Sequence, residues 1–300
     1  MTHFDIPVGD WMTDLVNWSL AHLAAAFDVI TFLIGGLVNN LQVALTAVPV
    51  WLMASITIAV AAWRVGVRFA LFCVFAVVLV IGMNMWSQTM ATFALILAAT
   101  LISLLIGLPA GILAAKSRLA EAIIRPILDL MQTLPSFVYL IPAAMFFGLG
   151  KVPGTIATIV FSMPPAVRLT DLGIRSVNRE LTEAGQAFGC TRSQLLLKVQ
   201  LPAAMPSIMA GVNQTIMLSL SMVVIASMIG AGGLGNEVLA GIQRLDIGRG
   251  FEGGFAVVVL AIVLDRISQS FGTPGRQETA LRRWVMTLFR PGPDEAGEPK

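Results

Sequence analysis

Two short stretches of this 300-residue sequence have the spacing of phosphate-binding chemistry. Residues 230–235 read GAGGLG, which puts Gly230, Gly232 and Gly235 on the pattern G-x-G-x-x-G, with Gly233 inside it. Such glycines cradle a dinucleotide pyrophosphate when they follow a strand and open a helix within a βαβ unit. Residues 148–152 read GLGKV and imitate the end of a P-loop, G-x-x-x-x-G-K-[ST]. Met145 stands where the first glycine of that motif belongs, and Val152 where its Ser or Thr should be. Other chemistries lack their residues. The two histidines, His3 and His22, lie in the N-terminal region and form neither an H-E-x-x-H zinc pair nor a Ser–His couple. Cys73 sits in an apolar run and Cys190 in a polar loop, a distribution that suggests neither a disulfide framework nor a metal site. A net charge of +2 supplies no general attraction for nucleic acid.

The elements that carry these residues are expected to form an all-α membrane protein. Hydrophobic residues make up 57% of the chain and charged ones 12%, against about 25% charged in a typical soluble domain. A spanning helix needs about 20 mostly apolar residues. Seven stretches within a permease-sized domain, 46–270, are taken as spans: 46–63, 65–86, 89–115, 126–150, 152–168, 203–229 and 251–266. Arg64 and Arg68 split the first two into a hairpin, and Trp51, Trp63 and Trp86 fall near helix ends, as interfacial aromatics do. GAGGLG then closes the sixth span at its outer face. No strand precedes it and no βαβ unit surrounds it, so its glycines suit a tight turn and close backbone packing near an outer gate, not a nucleotide.

Lysine and arginine set the orientation. With the N-terminus outside, 16 of these residues lie in the cytoplasm and only Lys151, Arg244 and Arg249 outside, as the positive-inside rule requires. The difficult element is 29–48, which is apolar but carries Asn39, Asn40 and Gln42 at its centre. The first 63 residues contain no Lys or Arg and include Asp5, Asp10, Asp14 and Asp28, which suits the outer side. Residues 1–45 are therefore expected to form an interfacial or re-entrant region, an eighth spanning helix being the alternative. Trp11, Leu15, Trp18 and His22 share one helical face there. The acidic start MTHFDIPVGD lacks a basic segment, so no cleavable signal peptide is expected. In the tail, 271–300, Leu281, Trp284, Val285 and Leu288 repeat at helical spacing beside Arg282 and Arg283, which predicts a cytoplasmic surface helix.

The largest polar loop, about 175–202, predicts a helix-turn-helix. Asn178 can cap a first helix whose face carries Leu181, Ala184, Gly185 and Phe188. Gly189 follows as the residue that takes a positive φ cheaply. Thr191 to Gln194 is a capping box that starts a second helix, and Pro202 is expected to end it. Such a loop is either a connector that holds two spans apart or a docking knob for a partner.

At these residues the loop resembles the EAA loop of ABC importer permeases, E-A-A, three residues, G, nine residues, I, one residue, L-P. Glu183, Ala184, Gly189, Leu201 and Pro202 fall on that spacing, while Gly185 replaces the second Ala and Val199 the Ile. LDLMQTLPSFVYLIPA (128–143), VPGTIATIVFSMPPAVRLT (152–170) and NQTIMLSLSMVVIASMIGAGGLG (213–235) are similar to permeases of glycine betaine, proline betaine and choline uptake systems. The resemblance implies a type I ABC importer transmembrane domain in a bacterial inner membrane and a homodimeric pore. It also implies two cytoplasmic ATPase subunits that bind ATP and Mg, and a periplasmic or lipid-anchored binding protein. No cofactor or catalytic residue is implied in this chain, and the EAA helix would be the element that sits in a groove of the ATPase.

Ionisable residues are missing from the span centres, which disfavours a self-sufficient ion-coupled carrier. Pro135 and Pro142 are expected to interrupt the fourth span, and Pro164 and Pro165 the fifth, freeing carbonyls for a polar route. Gln132, Thr133, Ser136, Asn213 and Gln214 add uncharged polar groups, each of which could instead bond between helices. Tyr139, the only tyrosine, could offer a cation–π face or pack as an ordinary aromatic. A reporter fused after residue 28 is expected to read as external; cytoplasmic activity would favour eight spans.

Overall fold

The computed structural model describes residues 7–272, which are helical with short connections and contain no strand. In order they form α1 (Val8–Ala47), α2 (Val50–Arg64), α3 (Val67–Gly82), α4 (Trp86–Lys116), α5 (Arg118–Thr133) and α6 (Ser136–Phe147). There follow α7 (Lys151–Arg175), α8 (Arg179–Ala187), α9 (Arg192–Gln194), α10 (Leu201–Ala226), α11 (Leu234–Arg244) and α12 (Ile247–Gly272). The cytoplasmic surface helix expected at Leu281–Leu288 lies outside the described residues.

Breaks occur where backbone chemistry demands them. Val48 and Leu134 precede prolines and are extended (ψ 127° and 136°), which ends α1 and α5. Gly66 (φ +131°) turns α2 into α3, and Gly148 (φ +76°) with Gly150 (φ +128°) turns α6 into α7.

Several expectations need correction. Residues 29–48 are not re-entrant: all but the extended Val48 belong to a single unbroken 40-residue helix, α1, because no proline occurs between Pro7 and Pro49. α1 is apolar and long enough to cross a membrane, yet its contacts with α6 and α7 are at one end of the bundle. Phe27 stacks on Phe146 at 4.8 Å, a Cβ on Gly35 would touch Val152 at 3.3 Å, and Gln42 reaches Lys151. These contacts span about 22 Å of helix at 1.5 Å per residue, and α1 also packs on α4, where Ile34, Leu37, Val38 and Leu41 join the cluster that holds Leu95, Ile96 and Ala98. Asn39 and Gln42 are explained by the same contact, since Lys151 Nζ donates to Gln42 Oε1 (2.6 Å) and Asn39 Oδ1 (3.3 Å).

The span count also differs from seven. Among the described residues five helices are long and apolar enough to cross, or six if α5 and α6 count as one broken span. Pro49 and Gly66 trim the first two expected spans to 15 and 16 residues, shorter than a full crossing. The fourth is bent by 102° between α5 and α6. By contrast Pro142, Pro164 and Pro165 lie inside continuous helices and interrupt nothing. A missing N–H alone does not end a helix that its neighbours hold in place.

The centre of the bundle is α7, packed between α4 and α10 at positions with no side chain to spare. A Cβ on Gly111 would meet Val167 O at 2.6 Å and Thr170 Cβ at 2.7 Å; one on Gly173 would meet Ser207 Cβ at 2.8 Å; one on Gly211 would meet Pro165 O at 3.1 Å. Between these contacts, hydroxyls bond across helices: Ser103 Oγ to Ser162 Oγ (3.2 Å) and Thr100 Oγ1 to Ser219 Oγ (3.4 Å). Small residues that let backbones approach are what membrane helices pack with, because lipid offers no hydrophobic force to drive them together. Gly111→Ala is expected to destabilise the purified protein by about 1–3 kcal/mol, as overpacking does. Gly36→Ala, which meets nothing within 4 Å, should be neutral or better; equal unfolding midpoints for the two variants in detergent would contradict the packing.

Candidate functional site

The helix-turn-helix loop forms as its local chemistry dictates. Asn178 Oδ1 accepts from Glu180 N (2.9 Å) at the start of α8, and Gly189 takes φ +77° after its end. Thr191 and Gln194 form the reciprocal capping box, at 2.9 and 3.3 Å. The second helix does not stop at Pro202. It continues through a π-helical stretch, Leu195–Gln200, into α10. There Leu201 N donates five residues back to Leu196 O, a wider turn that makes room for a proline ring which would otherwise strike the preceding carbonyl.

Small size on α8 serves two different contacts. A Cβ on Gly185 would lie 2.7 Å from Leu195 Cδ1, so this glycine seats α8 on its own second helix and not on a partner. Ala184 faces outward with Leu181 (51% exposed) and Phe188 (88% exposed), leaving an uncovered apolar strip. Glu183 is also exposed and holds Arg179 Nε at 2.7 Å. Leu201 packs with Ile174, Leu196, Ala204, Ile208 and Val177, a cluster that ties the loop to the adjoining ends of α4, α7 and α10, while Pro202 is exposed.

Charge completes this end. Arg175, the last residue of α7, donates to Asp171 Oδ1 (2.5 Å), Glu121 Oε2 (2.5 Å) and Ala114 O (2.6 Å), joining α7, α5 and α4. Arg168 pairs with Asp129 at 2.5 Å. Local sequence spacing does not pair these charges, since the partners lie 54 and 39 residues apart.

At the opposite end, the stretch GAGGLG turns the chain from α10 into α11. Gly230, Gly232 and Gly233 have φ of +85°, +83° and +72°. A Cβ on Gly233 would strike Thr92 Oγ1, and one on Gly235 would lie 2.9 Å from Ser227 Cβ. Leu234 N donates to Thr92 Oγ1 (2.8 Å), and Gly150 N donates to Ile229 O (2.8 Å), so the turn is pinned to the starts of α4 and α7.

A helical bundle with a short amphipathic loop helix at one end matches known proteins. The family described as binding-protein-dependent transport system inner membrane component matches residues 107–272. The chain is 47% identical over 283 residues to the glycine betaine/proline betaine transport system permease protein ProW of Escherichia coli (strain K12), covering 94% of this chain and 79% of that one. It is 48% identical over 277 residues to the glycine betaine/carnitine transport permease protein GbuB of Listeria monocytogenes, covering 91% and 98%. The chain belongs to this transport family. Its fold is that of type I ABC importer transmembrane domains. A solved structure of the inward-facing MetNI methionine ABC transporter superposes with a TM-score of 0.54 at 24% identity, covering 69% of this chain and 96% of that one.

In this inner membrane component the candidate pathway residues are spread over three helices. Gln132 and Thr133 end α5, Pro135 and Ser136 open α6, and Asn213 and Gln214 lie on α10; no hydrogen bond joins the two groups among the described residues. Thr133 Oγ1 returns to Leu130 O (3.4 Å), Gln214 is exposed, and Asn213 Oδ1 is buried without a partner. Tyr139 is fixed at the α5–α6 joint. Its hydroxyl donates to Met131 O (2.5 Å), the carbonyl left open because Pro135 four residues on has no N–H, and to Leu130 O (3.3 Å), which also accepts from Leu134 N, while its ring packs on Leu140, Ala143, Ala157 and Met222. Tyr139→Phe is expected to cost about 1 kcal/mol, the net worth of a hydrogen bond. Unfolding of the detergent-purified protein checks this, and an unchanged midpoint would show the contact to be idle.

Proposed function

We propose that this chain is the membrane-spanning subunit of an ATP-driven importer for a quaternary ammonium compound: glycine betaine, proline betaine or choline. The observation that carries the docking assignment is the exposed strip Leu181, Ala184 and Phe188 on α8, a short charged helix rooted in the ends of three spanning helices. An apolar strip with a near fully exposed phenylalanine suits a groove in a cytoplasmic ATPase subunit, where a buried aromatic supplies much of the binding energy. ATP and Mg belong to that subunit, and this chain contributes no catalytic residue. Glycine betaine appears in the names of both ProW and GbuB, which supports a zwitterionic quaternary ammonium cargo.

The importer is a homodimer, with a binding protein delivering substrate at the GAGGLG end. The α8 end is cytoplasmic, the GAGGLG end periplasmic, and the N-terminus external, the orientation that places most Lys and Arg inside. In this arrangement Gly230, Gly232, Gly233 and Gly235 belong to a periplasmic gate. The unpartnered carbonyl of Asn213 is a group available to line the pathway, with the α5–α6 break beside Gln132, Thr133, Pro135 and Ser136. ATP-driven closure of the two ATPase subunits biases the inward and outward states through α8.

Phe188→Asp is expected to leave the protein inserted, because the side chain is 88% exposed, yet to weaken ATPase co-purification about 30-fold. Uptake by the complete importer should fall with it. The wild-type chain purified alone should hydrolyse no ATP. Normal uptake by the variant would remove the docking assignment, and ATP hydrolysis by the lone chain would overturn the permease assignment. Uptake of labelled glycine betaine, proline betaine and choline by the reconstituted importer tests the cargo, and failure with all three would reject it.

A further inference from the structure

We infer that α5 is the arm that carries movement of α8 to the α5–α6 break, with Glu121 and Asp129 as its positioning residues. The inference rests on ATPase docking at α8. α5 is held to the bundle in an unusual way. Leu128 is its one buried residue, and Leu119, Ile123, Ile127 and Leu130 stay exposed. α5 packs on α4, and two ion pairs tie it to α7. Glu121 meets Arg175 at 2.5 Å, with the Glu121 side chain only 16% exposed, and Asp129 meets Arg168 at 2.5 Å in a more open setting.

These pairs are antiparallel: the earlier α5 residue meets the later α7 residue, and the members on each helix lie about two turns apart. α5 is therefore clamped at two points along α7 and cannot pivot freely about either. Arg175 is also fixed to Ala114 O and Asp171, so its guanidinium follows the end of α7. From Arg175 the chain runs through Ser176 and Val177 to Asn178, the cap of α8, and Val177 is packed against the Ile174–Leu196 cluster. The joint is short and stiff, so a displacement of α8 displaces Arg175 and with it Glu121.

Beyond Asp129, α5 ends at the extended Leu134, where the chain bends by 102° into α6. Tyr139 ties α6 back to the last carbonyls of α5, and Leu140 and Ala143 of α6 pack with Ala157 of α7 and Met222 of α10. A push on α5 thus arrives at α6 through a bent, bonded joint. In the transport cycle the angle at Leu134–Pro135 is the element with two settings, and the ion pairs decide whether it follows α8.

The test uses the complete importer, with its ATPase and binding-protein subunits, in proteoliposomes, and reads ATP hydrolysed per labelled glycine betaine taken up. Asp129→Arg and, separately, Glu121→Gln should raise that ratio about fivefold, the scale on which such contacts tune coupling. Hydrolysis itself should stay near wild type. Adding Arg168→Asp to Asp129→Arg should restore the ratio, because each of these two groups has only the other as an ion-pair partner among the described residues. A ratio unchanged in both single variants, a parallel fall of uptake and hydrolysis, or a reversed pair that fails to rescue would overturn the inference. Phe188→Asp is the separate control, since it should lower hydrolysis and uptake together. If that variant keeps its ATPase, the docking assignment fails and the inference fails with it; if it loses its ATPase while both single variants leave the ratio unchanged, the docking assignment stands and the arm alone is wrong.

Discussion

The close approach of α7 to α4 and α10 is the contact on which the rest of the molecule depends. Between membrane helices there is no water to expel, so attachment rests on dispersion at short range and on a few interhelical hydrogen bonds. Both need backbones brought closer than ordinary side chains allow, which is why Gly111, Gly173 and Gly211 stand where those helices meet. One end of α7 runs into α8 and the other receives the turn at Gly230–Gly235. The same helix therefore positions the α8 loop and the glycine-rich turn at opposite ends of one stiff element.

The second constraint is that polar groups inside such a bundle need partners. Lys151 is met by Asn39 and Gln42, the Leu234 amide by Thr92, and the carbonyl left open at Met131 by Tyr139. Each pairing also fastens one element to another: α1 to α7, the glycine turn to α4, and α6 to α5. Buried groups that lack a partner stand out against this background, Asn213 Oδ1 among them. An unmet acceptor in a low-dielectric setting is costly unless something else in the working protein meets it.

Charge is divided by end, with consequences for coupling. Arg168 and Arg175 on α7 gather the carboxylates of Asp129, Asp171 and Glu121 at the α8 end. These contacts are polar and short-ranged, so they can open or close with small movements, whereas the glycine packing in the middle of the bundle cannot. A permease that moves between two states needs both kinds of contact.

Much of this was legible in sequence because it depends on neighbours a few residues apart. Composition announced a membrane bundle, Asn178, Gly189 and the Thr191–Gln194 box announced the loop, and the EAA spacing announced the family. Capping and positive φ are local events and read directly. What the sequence could not decide involves distance or competition. A break at Pro135 but none at Pro142, Pro164 or Pro165 depends on whether surrounding helices hold the chain straight. The polar centre of 29–48 made sense only once Lys151, more than a hundred residues later, lay beside it. Gly185 shares a face with Leu181, Ala184 and Phe188 by spacing, yet the space beside it is filled by Leu195 of the same loop. By itself the sequence determined the fold class, the family and the chemistry of the loop; only the tertiary structure decided which polar groups are spoken for, because hydrogen bonds and ion pairs between distant segments exist only after packing brings them together.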